Sequence, residues 1–135
     1  MKRALLVFLA IGASVFAQTA TACEWTSLGQ RRAAADHIVE GRVTAVRIAR
    51  VWVHDWKIQI DRVATVQPVS TVKGRPQAAR FEYPFSTHEA HTENCSSRPD
   101  RAADSDETGF FLWEGSRRPT LMLTADEFRQ RGLDY

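Results

Sequence analysis

Cysteine is scarce. The 135-residue chain has two, too few for a small domain stapled by several disulfides. Glycine (7) and proline (5) are too few and too scattered for collagen or low-complexity disorder. Charge of one sign is also missing. Lys2 and Arg3 are the only charged residues among the first 22, and taking them from the 18 basic side chains leaves the remainder balanced against 16 acidic ones. A balanced chain lacks the positive excess that drives sequence-independent binding to polyanions, so nucleic acid is not an expected partner. Past the N-terminus no apolar run approaches the ~20 residues of a membrane-spanning helix. There is no Gly-x-Ser-x-Gly elbow, no phosphate-binding loop, no dinucleotide fingerprint and no evident Ser/His/Asp order. Catalysis is therefore not expected. At about 100–200 residues per domain, the length suits one domain.

What is present begins with an export signal. Met1-Lys2-Arg3 is a short basic head, Ala4 to Ala17 is an apolar run of signal-peptide length, and Ala20-Thr21-Ala22 fits the small-x-small cleavage pattern. Residues 1–22 are read as a signal peptide and residues 23–135 as the mature domain, placed in a bacterial periplasm or outside the cell. Cleavage after Ala17 and an uncleaved anchor are the competing assignments. Cleavage after Ala22 makes Cys23 the first mature residue. An oxidising compartment favours pairing of the two cysteines, Cys23 with Cys95. Closing a loop of about 70 residues stabilises by about 4 kcal/mol in the chain-entropy model. Lipidation of Cys23 is the alternative, and for the cleaved chain it alone would bring the protein to a membrane. It is disfavoured by Ala20, which stands where such signals prefer a larger aliphatic residue. The two fates exclude each other because both consume the Cys23 sulfur.

The mature chain reads as five short strands with a helix at each end. Ser27 caps a helix running to Asp36, rich in Ala33, Ala34 and Ala35. Ile38 to Val46 is β-branched, and Gly41 within it predicts a bulge or bend. Val51 to Val66 holds a second strand with a turn at His54-Asp55. Trp56, Ile58 and Ile60 fall on its dry face; Lys57, Gln59 and Asp61 fall on its wet one. Pro68 breaks the pattern, Val69 to Val72 resumes it, and Lys73-Gly74-Arg75-Pro76 is a turn. Ala79 to Tyr83 is a strand, Pro84 to Glu107 a long polar loop, and Thr108 to Trp113 a strand apolar on both faces. Thr120 to Leu123 is the last strand. Thr124 to Glu127 forms a capping box for a helix ending near Arg131-Gly132. The expected fold is mainly β: a small five-stranded OB-like barrel with a short N-terminal helix and a C-terminal helix.

Several short motifs resemble the netrin-like domain family, which includes the tissue inhibitors of metalloproteinases and small exported bacterial proteins. They are a leading Cys23 after a signal peptide, Ala35-Asp36-His37-Ile38-Val39-Glu40-Gly41-Arg42-Val43, Val72-Lys73-Gly74, and Cys95 ahead of Gly109-Phe110-Phe111-Leu112-Trp113. The resemblance implies an OB-like barrel, agreeing with the strand count, and Cys95 as the partner of Cys23. In the inhibitors the leading cysteine's amino and carbonyl groups chelate the protease zinc. Only Cys23 carries that role over, because the family's Cys-x-Cys is here Cys23-Glu24-Trp25.

These residues frame the functional expectations. The main one is a disulfide-tied binding module whose contact edge, Cys23, Glu24 and Trp25, meets a protein partner. A rigid edge loses less entropy on binding. One alternative is inhibition of a metalloprotease through Cys23. Another is a metal carrier: His88, His91 and Glu93 gather ligands suited to zinc or copper, although the spacing is not His-Glu-x-x-His. Without that site no cofactor is expected. Arg47, Arg50, Trp52, His54 and Trp56 interleave basic and aromatic groups, as on OB faces that bind single strands or sugars. The bland account of these two tryptophans is barrel core or a snorkelling surface pair. Arg98 to Glu107 lacks the ordered spacing and glycine of a calcium loop and reads as a linker.

Overall fold

A computed structural model describes residues 26–54, 57–88 and 101–130, with the backbone alone at His54, Lys57 and His88. The chain is mainly β. In order it contains α1 (Leu28–Ala34), β1 (His37–His54), β2 (Lys57–Lys73), β3 (Phe81–His88), β4 (Thr108–Trp113), β5 (Leu121–Thr124) and α2 (Ala125–Arg129). The strands form one antiparallel sheet in the order β3-β2-β1-β4-β5. Among the described residues no helix is long and apolar enough to cross a membrane.

The sheet coils on itself. In a flat sheet β3 and β4 would stand three strand spacings apart, about 14 Å. Instead the ring of Phe81 on β3 meets Trp113 on β4 at 4.9 Å and Phe111 at 5.3 Å, and Tyr83 meets Phe111 at 5.5 Å. These rings join Val39, Val43, Ala64, Val66 and Met122 in one inner core to which all five strands contribute. This is the OB-like character expected from the strand count. The seam between edge strands β3 and β5 is bridged by Arg101 and the residues after it. Tyr83 donates its hydroxyl to the Arg101 carbonyl at 2.7 Å, and the Arg101 guanidinium reaches the Met122 carbonyl and Glu127. Ala103 is buried in the inner core beside them.

A second core lies on the sheet's outer face. Ile38, Phe110, Leu112, Leu121 and Leu123 are covered by Leu28 and Ala35 of the α1 segment and by Ala125 and Phe128 of α2. Hence β4 is apolar on both faces: Phe111 and Trp113 point inward, Phe110 and Leu112 outward. Ser27 and Thr124 form full capping boxes at the two helix starts. Arg31 pairs with Glu114, and Arg32 donates to the Phe128 and Gln130 carbonyls where α2 ends.

Bulges set the curvature. Register slips in the β1–β2 pair at Val72, Val69, Thr44 and Ala49, each adding a residue that bends and twists the ladder. Val69 and Val72 are exposed apolar residues for this reason. Gly41 sits at one slip, opposite Pro68. A Cβ there would come within 2.4 Å of the Val66 side chain and 3.3 Å of the Gln67 carbonyl. The predicted bulge is present beside Gly41, with Val69 of β2 as its extra residue, and the close approach explains why glycine stands there. Pro68 does not end β2. It lies beyond the stretch that pairs with β3, where an edge tolerates a missing N–H. Pro84 likewise does not begin a loop: β3 runs on through it to His88, because β3 is an edge strand.

Candidate functional site

β1 has 18 residues and β4 has 6. β4 therefore covers β1 only from His37 to Arg42. Val43 is met by the backbone of Asp106 and Glu107. Beyond that point β1 and β2 continue together as a hairpin arm, joined on one side by β3 as far as the Gln59–His88 pair.

The register assigns the arm two faces. Cross-strand partners share a face, so Arg47, Arg50, Trp52, Gln59, Asp61, Glu82 and Ser86 lie outward. Val46, Ile48, Val51, Val53, Ile58, Ile60, Arg62 and Thr87 lie on the inner side, continuous with the core residues Ala64 and Tyr83.

The outer face is closed by a polar network around Asp61. Its carboxylate accepts hydrogen bonds from the Ser86 hydroxyl at 2.7 Å, the Gln59 amide at 2.8 Å and the Trp52 indole N–H at 2.8 Å. These donors, in that order, and the nearby Arg50 guanidinium hold its pKa down at about 2, against an ordinary 3.8 and the opposing effect of burial. Arg50 stacks over the Trp52 ring at 3.9 Å. Arg47 pairs with Glu82 at 3.2 Å. Of the interleaved basic and aromatic residues, Arg47, Arg50 and Trp52 thus share one face, but on the arm; Trp56 and the His54 side chain lie outside the described residues. Trp52 is neither barrel core nor an open stacking platform, because one of its faces carries Arg50.

Among the described residues the inner face has no such closure. Ile48 is 59% exposed, Val51 54% and Val53 70%, while Ile58 and Ile60 on the neighbouring strand are half-buried. Arg62 donates to the Thr87 hydroxyl at 3.3 Å, and among the described residues no carboxylate pairs with it.

Cys23, Glu24, Trp25, Cys95, His91, Glu93 and Trp56 lie outside the described residues, as does the side chain of His88. Among the described residues no three His, Cys, Asp or Glu side chains converge to hold a metal. Sequence reasoning missed the Asp61 network and the exposed valines. Both had a signal. Pairing of His54 with Lys57 sets Trp52 opposite Gln59, and a strand three times the length of its β4 neighbour must outrun it.

The fold and this surface define a mainly β, OB-like domain bearing a two-faced hairpin arm. Compared with known proteins, the chain matches no family model, no curated protein and no solved structure. What it does must be argued from its own residues.

Proposed function

We propose that this chain is an exported, non-catalytic interaction module that grips a protein partner with its hairpin arm. The observation that carries this reading is the run of exposed Ile48, Val51 and Val53 on an arm held stiff by the Asp61 network. Contiguous exposed apolar surface on a small domain marks an interaction site. A stiff one spends less entropy on binding. The basic-apolar leader supports export, and the two cysteines support a Cys23–Cys95 bond in the mature chain.

A photocrosslinking side chain placed at Val53, in protein expressed in its native host, tests the reading. Light-dependent adducts to one protein are expected from Val53 and not from the same group at Ala33, an exposed residue of α1. Equal labelling from both positions, or none from Val53, sinks it. Intact mass of the natively purified protein tests the rest. The expected value is that of residues 23–135 less two hydrogens, and added acyl mass would replace the disulfide with a lipid anchor.

A further inference from the structure

We infer that the partner is held by strand addition: an extended segment, apolar on one side and acidic on the other, pairs with the edge of β1 that no described residue occupies. The inference rests on the interaction-module reading and specifies its chemistry. β1 is bonded to β2 on one side throughout. On its other side the described bonds end at Val43. From Thr44 to Val51 the backbone groups facing away from β2 are bonded to no described residue. An exposed edge of this length is a template for another strand.

The side chains along it say what kind of strand fits. Period two sends alternate residues of an added strand to the two faces of the arm. On the inner face it would lie beside Val46, Ile48, Val51 and Val53, so apolar residues are needed there. On the outer face it would lie beside Arg47 and Arg50. From Thr44 to Val53 the strand contains two arginines, Arg47 and Arg50, and no acidic residue, and Arg47 also meets Glu82 of β3. Arg50 has no salt-bridge partner among the described residues. Carboxylates across from these guanidiniums are favourable, and like charges there are not. The same rule disfavours a second copy as occupant, since two copies of β1 would set arginines against arginines on the outer face with no carboxylate between them. The inner face is also the concave side of a coiled sheet, which suits a chain segment and not a flat bilayer.

The test uses the processed full-length protein and two short synthetic peptides, one alternating Val and Glu and one alternating Val and Lys. Amide hydrogen exchange is followed by NMR. The Val–Glu peptide is expected to bind and to protect backbone amides between Thr44 and Val53. The Val–Lys peptide should bind about tenfold more weakly or not at all. Reversing the edge with Arg47→Glu and Arg50→Glu should exchange the two preferences. That reversal is a gain which a merely damaged fold cannot produce. Equal binding of both peptides, or binding that leaves β1 amides unprotected, overturns strand addition. So does a concentration-dependent dimer that protects the same amides, which would make the occupant a second copy. Vesicles of mixed zwitterionic and anionic lipid that protect the edge more than the peptide would also overturn it. If neither peptide binds while Val53 still crosslinks to a protein, strand addition falls and the interaction reading survives. If Val53 crosslinks to nothing, both fall.

Discussion

The barrel body and the arm share β1 and β2, yet they solve the problem of a two-sided sheet differently. In the body both faces are dry. Val39 and Val43 face inward to aromatic rings from β3 and β4, while Ile38 faces outward to Leu28 and α2. In the arm, a few residues further along β1, the outer face is held by hydrogen bonds to one carboxylate and the inner face is left open. The switch falls where β4 and the helices stop. A sheet that has lost its covering layer must become polar or find another cover. Here the outer face has become polar, while no described residue covers the inner one, and this is why the arm is the functional candidate and the body is its support.

The comparison breaks most visibly in the body. Phe111 is fully buried and its ring touches Phe81 and Tyr83. Phe111→Ala leaves a cavity where β3 and β4 meet and should cost about 3–5 kcal/mol. Denaturant unfolding should show one cooperative transition at a much lower midpoint. An effect below about 1 kcal/mol would mean that the rings do not hold the coil shut. Gly41→Ala should come next, at about 1–3 kcal/mol, because the new methyl group meets Val66 and a backbone carbonyl across the slip. Val66→Ala, which shortens the opposing side chain, should recover part of that loss when added to it.

How far the sequence reveals this division depends on which interactions are local. The helices carry their caps in adjacent residues, Ser27 with Gln30 and Thr124 with Glu127, so both were legible. The apolar alternation of Phe81 and Tyr83, and the doubly apolar Thr108–Trp113, gave the body its strands and its centre. The extent of β3 past Pro84 was not legible, because whether a proline interrupts a strand depends on which side of the sheet it occupies. The dry and wet sides expected for Ile58, Ile60, Gln59 and Asp61 describe the alternation correctly but not the burial. Ile58 and Ile60 are only half-buried, since covering layers end before they reach the arm. The Asp61 network needs residues from three strands, and only the register brings them together.

Acid should separate the two regions. Asp61 is stabilised as a carboxylate in the folded arm, with a pKa of about 2 against 3.8. A group whose folded pKa is depressed contributes stability that is complete above the unfolded value and lost as pH falls through the folded one. Amides of Trp52 and its β2 partners should therefore exchange faster as pH drops from about 4 to about 2, after correction for intrinsic rates, ahead of those in the body. Asp61→Asn should reproduce the loosening at neutral pH and remove the acid step. If arm and body loosen together at the same pH, the network does not hold the arm separately.

The smallest expected change is the one most informative about function. Val51 and Val53 are more than half exposed in a face that nothing described covers. Val51→Ser and Val53→Ser should each leave the unfolding free energy within about 0.5 kcal/mol of the parent, because exposed side chains give up little by becoming polar. The same changes should abolish adducts formed from a neighbouring crosslinker on the arm. A loss of more than about 1 kcal/mol from either serine would show that the valine is already packed in the free protein. The inner face would then resemble the body after all, and no open surface would remain for a partner.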